Sequence, residues 1–145
     1  MGNRNVLRWD CRKSGCFNFL LRPKLEVFSE VLPDNNAFTD VDGLTMIGDK
    51  FLMIEWKRHA KDPSLTGGQG KALRALTLVA PVVVLFIAGD AETMKVESCG
   101  FFEHGRWNDF QPITLAVLRE KIERWGARAA AAKSFDITSV KKPDT

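Results

Sequence analysis

Between Thr39 and His59 the chain reads TDVDGLTMIGDKFLMIEWKRH, two runs rich in Val, Ile, Phe, Met and Trp on either side of Gly48-Asp49. The runs Phe38 to Ile47 and Lys50 to Arg58 predict two strands. Gly48-Asp49 predicts the two-residue turn of a hairpin, with glycine supplying a positive φ. Counting outward from that turn pairs Ile47 with Lys50, Met46 with Phe51, Asp42 with Glu55 and Asp40 with Lys57. Opposed residues share a face, with Cβ atoms roughly 4.5–5.5 Å apart. Asp42 and Glu55 are thereby set side by side, with Lys57 one pleat along. Like charges so placed destabilise a sheet unless something positive lies between them.

Asp40 opposite Lys57 can be an ordinary cross-strand ion pair, and Asp42 and Glu55 can simply point into water. The surrounding strand argues otherwise. Leu52, Ile54 and Trp56 fill one face while Phe51 and Met53 begin the other, so the strand is apolar on both sides until Glu55 and Lys57. Charges at the end of such a strand have a partner or a task. Two carboxylates at this separation suit a hard divalent cation such as Mg²⁺ or Mn²⁺, which prefers oxygen ligands and, for Mg²⁺, keeps several waters. A lysine beside them can stabilise charge developing on phosphorus or help acidify a water. Glu30 or Glu26, four apart in the preceding segment, can complete a second metal position. An Asp followed by Glu-x-Lys on the next strand is a set suited to metal-assisted phosphodiester hydrolysis.

Upstream of the hairpin, Pro23 suits a first helical position, Leu25, Phe28 and Leu32 form one apolar stripe, and Pro33 ends it. Downstream, residues 61–70 read as a polar, glycine-bearing loop and Lys71 to Ala80 as a helix with Leu73, Leu76 and Ala80 on one side. Val82 to Ala88 is a continuous apolar run, the mark of a strand buried on both faces. Thr93 to Phe102 predicts a weaker strand and residues 105–111 a loop. Pro112 is expected to open a long helix whose seam is Leu115, Leu118, Ile122 and Trp125. A basic arm over residues 1–16 and a polar tail after Lys133 flank one α/β domain.

Asp42 and Glu55-Trp56-Lys57, with this order of elements, resemble the PD-(D/E)XK nuclease superfamily, which includes restriction enzymes, resolvases and phage exonucleases. The likeness covers about residues 23–88. It implies a restriction-endonuclease-like core, a central mixed β-sheet flanked by helices, and a metal-dependent deoxyribonuclease. It also implies metal ligands at Asp42 and Glu55, a water-activating Lys57, a further ligand at Glu30 and an accessory Gln69. Val41 stands where many relatives have proline, and Asp40 competes with Asp42 for the Asp position. Lys71, Arg58 and His59 are then placed to meet nucleic-acid phosphates, with DNA as the partner, and a homodimer or larger assembly is compatible with the family. An RNA-directed enzyme or a catalytically inactive binding module on the same scaffold are the alternatives.

Composition sets the frame. The chain of 145 residues is 45% hydrophobic and 27% charged, which argues against wholesale disorder. Its net charge of +3 permits a polyanionic partner without demanding one. Cys11, Cys16 and Cys99 show no disulfide framework, pointing to a reduced, intracellular setting. The apolar run Leu76 to Gly89 is too short to span a bilayer and is broken by Pro81. Gly67-Gly68-Gln69-Gly70-Lys71 lacks the spacing of a phosphate loop and reads as a flexible segment before a helix. A zinc site from Cys11 and Cys16 with His59 or His104 lacks ligand spacing. The basic residues Arg119, Lys121, Arg124 and Arg128 are interrupted by Glu120 and Glu123, as on a solvated helix face.

Overall fold

The hairpin forms in the expected register. Strands β1 (Gly43–Ile47) and β2 (Lys50–Lys57) pair antiparallel, Ile47 with Lys50 and Gly43 with Ile54, around a turn in which Gly48 takes φ 60°. The computed structural model describes residues 25–35, 38–63 and 67–132. The chain divides into an N-terminal unit, Met1–Thr39, and a C-terminal unit, Asp40–Thr145. The basic arm over residues 1–16, with Cys11 and Cys16, and the tail after Lys133 lie outside the described residues.

In the C-terminal unit, β2 is followed by helix α2 (Gly67–Val79) and strands β3 (Val82–Asp90), β4 (Lys95–Glu103) and β5 (Arg106–Pro112), then helix α3 (Leu115–Ala131). The five strands form one mixed sheet in chain order, in which β2 and β3 run parallel through the α2 crossover and all other neighbours are antiparallel. Together with α1 of the N-terminal unit, the described residues form an α/β fold with three α-helices. One sheet face buries Leu73, Val82, Val84, Phe86 and Phe102, with Phe51, Met53 and Leu76 against them. The other buries Ile87, Val96 and Leu118, with Ile54, Trp56 and Ile122. Helix α2 therefore covers one face and α3 the other, and the apolar run of β3 serves both.

Several boundaries differ from expectation, each for a physical reason. Helix α2 begins at Gly67, not Lys71, so residues 67–70 are its first turn rather than loop. Pro112 ends β5, where a missing N–H is tolerated near the edge of a sheet, and Thr114 caps α3 by accepting from the Val117 N–H at 3.3 Å. In the expected seam of α3, Leu118 is buried, whereas Leu115 remains 36% exposed. Residues 105–111, expected as loop, are mostly β5. His104 (φ 50°) and Gly105 (φ 74°) form its tight turn from β4, with Glu103 opposite Arg106. A bulge then sets Gly100 of β4 against two residues of β5, because Phe101 pairs with Asn108 and Cys99 with Gln111. The extra residue breaks the two-residue alternation, and this brings Trp107 and Phe110, three apart, into one ring cluster with 5.4 Å between centroids.

In the N-terminal unit, the expected helix from Pro23 to Leu32 is only α1 (Glu26–Ser29) in its described part. Ser29 Oγ donates to the Leu25 carbonyl at 3.4 Å, and Val31 and Leu32 N–H groups reach back only three residues. The chain tightens into 3₁₀-type turns ahead of Pro33, so Glu30 falls on a turn past the helix instead of on its face.

Gly100 is where the sheet has no room. A Cβ there would stand 2.5 Å from Trp107 Cη2 and 2.8 Å from Cζ2. Trp107 is itself wedged between Phe86, Phe102 and Phe110. Gly100→Ala should therefore destabilise the protein by about 1–3 kcal/mol through overpacking. A urea titration followed by tryptophan fluorescence would show this as a lower midpoint, and an unchanged midpoint would contradict the packing described.

Candidate active site

In a β-α-β unit the helix runs back along the strands, so the start of α2 arrives at the carboxyl end of β2. Glu55 and Lys57 occupy that end, on the same face as Phe51 and Met53 and thus facing α2. Their strand is apolar until this point, which is why Glu55 is only 4% exposed. Glu55 Oε2 lies 3.4 Å from Lys57 Nζ. Its other oxygen, Oε1, is buried and has no hydrogen-bond partner.

Asp42, which the hairpin count sets opposite Glu55, lies close enough for its charge to act on that carboxyl. The ladder itself stops one residue earlier, at Gly43. The Asp42 side chain takes over from the strand, and its Oδ2 accepts from the Trp56 N–H at 2.6 Å. That bond satisfies a backbone donor that β1 no longer reaches and holds the carboxylate at the end of the hairpin. Burial raises the Glu55 pKa above the ordinary glutamate range, and the neighbouring negative Asp42 raises it further; Lys57 and Gln69 oppose the shift.

Gln69 lies in the first turn of α2 and works with both ends of its amide. Oε1 accepts from Lys57 Nζ at 2.9 Å, and Nε2 donates to the Asp40 carbonyl at 3.0 Å. Lys57 is thereby held between Glu55 and Gln69. Asp40 serves the site through its backbone carbonyl. At the far end of α2, the buried Thr77 hydroxyl accepts from the Gly105 N–H at 2.9 Å, and Arg74 donates to the Gly105 carbonyl at 2.8 Å. The β4–β5 turn thus anchors α2 and fixes where Gln69 sits.

Asp42, Glu55, Lys57 and Gln69 are brought together, all within the C-terminal unit. Glu30 belongs to the N-terminal unit and is exposed on the turn after α1; the side chain of Glu26 lies outside the described residues. Lys71 is exposed on α2. Arg58 and His59 are also exposed, and they line a recess of about 260 Å³ with Lys57, Lys61, Pro63, Gln69 and Gly70. Lys61 and Pro63 were not expected there, because their stretch reads as plain loop. Cys99 is half-buried, and burial pushes its thiol up to about 11, out of the reactive range.

Among the described residues no three His, Cys, Asp or Glu side chains gather as a cage for metal. The site offers two carboxylates, one with an unpartnered buried oxygen. That donor set fits a hard cation which retains water in most of its coordination positions. No described helix is long and apolar enough to cross a membrane. Comparison with known proteins finds no family model, no curated protein and no solved structure that matches this chain.

The raised pKa of Glu55 makes stability depend on pH in a definite direction. Below the ordinary value of 4.5 the carboxyl is neutral folded and unfolded. As pH rises from there through the raised folded value, the unfolded chain sheds its proton first, and folding loses stability. Glu55→Gln removes that loss, and half-exposed Lys57 keeps its bond to Gln69. The variant should melt higher than the parent at neutral pH without divalent metal, with the gain shrinking below about 4.5. Melting curves across that range check the sign; a gain confined to acid pH would show that Glu55 is not held against its charged form.

Proposed function

We infer that this protein is a nuclease requiring a divalent metal, with DNA as its substrate. The observation that carries the reading is Glu55, a carboxylate buried beside Asp42 with one oxygen unpartnered and a lysine 3.4 Å from the other. Leaving such an oxygen unsatisfied costs about 1–3 kcal/mol, an expense a cation-binding role accounts for. The resemblance to PD-(D/E)XK nucleases calls for Asp at the hairpin's open end, Glu-x-Lys on its second strand, then a helix and a parallel strand. The arrangement of β1, β2, α2 and β3 is compatible with that order and supports the reading.

Asp42 and Glu55 would hold Mg²⁺ or Mn²⁺. Such an ion supplies Lewis-acid stabilisation of phosphoryl charge and lowers the pKa of water. Lys57 places a cation beside the two carboxylates, where it can donate to a phosphoryl oxygen or orient the attacking water. Gln69 limits where the Lys57 ammonium can go, so the charge is set before substrate arrives. Asp42, tied by Oδ2 to the backbone of β2, is held within electrostatic reach of Glu55.

The Glu55–Lys57 ion pair also suits a domain that only binds nucleic acid, and metal dependence separates the two. The purified protein should degrade DNA with Mg²⁺ or Mn²⁺ and not with EDTA, and an RNA arm tests substrate class. Lys57→Ala should keep metal binding near normal while cleavage falls by about a hundred- to thousandfold. Asp42→Asn should weaken metal binding itself, as read by calorimetric titration. Undiminished cleavage by a folded Lys57→Ala protein would refute the mechanism.

A further inference from the structure

Behind Lys57 the chain leaves β2 through Arg58, His59 and Lys61, and the recess these three line with Lys57, Pro63, Gln69 and Gly70 has no carboxylate in its wall. Among the described residues neither Arg58 nor Lys61 forms an ion pair. Arg58 lies within electrostatic reach of Asp90, whose carboxylate is already bonded within its own turn to Thr93 and the Glu92 N–H. Among the described residues, Arg58 and Lys61 therefore bring positive charge to the recess that no ion pair takes up, whereas Lys57 is paired with Glu55.

The recess also has a fixed floor. Pro63 and Gly70 are both buried, and the Pro63 carbonyl comes so close to Gly70 that a Cβ on this residue would collide with it. The loop after β2 is thus seated on the first turn of α2. That turn carries no acidic residue, so the positive end of the helix dipole adds to the basic side chains. Lys57 belongs to both places: it lines the recess and pairs with Glu55.

We propose that this recess binds a phosphate group of a nucleic-acid strand, adjacent to the phosphodiester presented to Asp42, Glu55 and Lys57. The identity of the ligand as nucleic acid rests on the nuclease reading; the binding of phosphate does not. A strand gripped there has its register set relative to Glu55, so cleavage falls at a fixed spacing from the gripped phosphate. A terminal phosphate in the recess makes the enzyme trim ends, and an internal phosphodiester makes it cut within the strand.

The test is done in EDTA, where binding is separate from cleavage. Inorganic phosphate should shift the amide NMR signals of residues 57–61 and 69–70 in the parent and not in the double variant Arg58→Ala, Lys61→Ala. Anisotropy with short single-stranded DNA, ended by phosphate or by hydroxyl, should show the double variant binding about tenfold or more weakly, with the salt slope smaller by about 0.7, one phosphate's share for a single strand. Lys121→Ala with Arg124→Ala, on α3, serves as the charge-matched comparison and should bind as the parent does. Tighter binding of the phosphate-ended strand assigns the recess to chain ends, and equal binding assigns it to internal phosphodiesters. Parental affinity in the folded Arg58, Lys61 variant, or an equal loss in the α3 variant, overturns the proposal. DNA bound through the recess but never cleaved with Mg²⁺ would overturn the nuclease reading alone.

Discussion

A carboxylate taken out of water must be compensated, and the C-terminal unit is arranged around that requirement at Glu55. The side chain sits where β2 passes from core to surface, beside the negative Asp42, with burial raising its pKa. Lys57 supplies the nearest compensation, but an ammonium on a flexible four-carbon stem is a loose partner unless something else holds it. Gln69 does so, and Gln69 is only in reach because α2 lies across the sheet with its first turn at the end of β2. The helix is held there at its other end by Thr77 and Arg74, which satisfy both backbone groups of Gly105. A polar contact in the β4–β5 turn is in this way coupled to the geometry around Glu55.

The hairpin was legible in the sequence because local rules determine it completely. Gly48 as the first of two turn residues sets the register, and a single-residue slip would move Leu52 and Ile54 to the opposite face. The β3 strand was legible for a similar reason, since few structures other than a central strand accept Val82 to Ala88. Strand β5 was not. Its alternation is broken by the bulge opposite Gly100, and a bulge is a property of two strands together that one strand's pattern does not reveal. The start of α2 was hidden because Gly67, Gly68 and Gly70 carry loop composition. Gly70 is in fact required there by the close approach of Pro63.

The candidate site divides along the same line. Asp42, Glu55 and Lys57 follow from hairpin counting, and the structure adds only how each is held. The bond from Trp56 N–H to Asp42 Oδ2 could not be read in advance, because it exists only where the ladder ends one residue short. Gln69 was expected as an accessory residue in a stretch read as loop; its placement on a helix turns it toward Lys57. Lys61 carried no signal, since its place in the recess depends on the packing of Pro63 against α2, two elements separated by residues that look like linker. Glu30 was expected on a helical face, but Ser29 and Pro33 end the helix before it.

The compensation at Glu55 is incomplete, and its incompleteness has a direction. Lys57 reaches one carboxylate oxygen and leaves the other buried without a partner. Asp42 adds negative charge where a purely structural ion pair would add positive charge or nothing. If stability alone governed these positions, an apolar residue or a glutamine at 55 would serve better, because a buried charge gains little over a well-packed neutral group. The deficit is specific: it is negative, oxygen-based, and set next to a basic recess in which, among the described residues, Arg58 and Lys61 form no ion pair. Lys57 spans the two, pairing with Glu55 on one side and lining the recess on the other. Under the nuclease reading proposed above, the carboxylates would take a cation and the basic wall a phosphate, the pair that a phosphodiester with its metal presents.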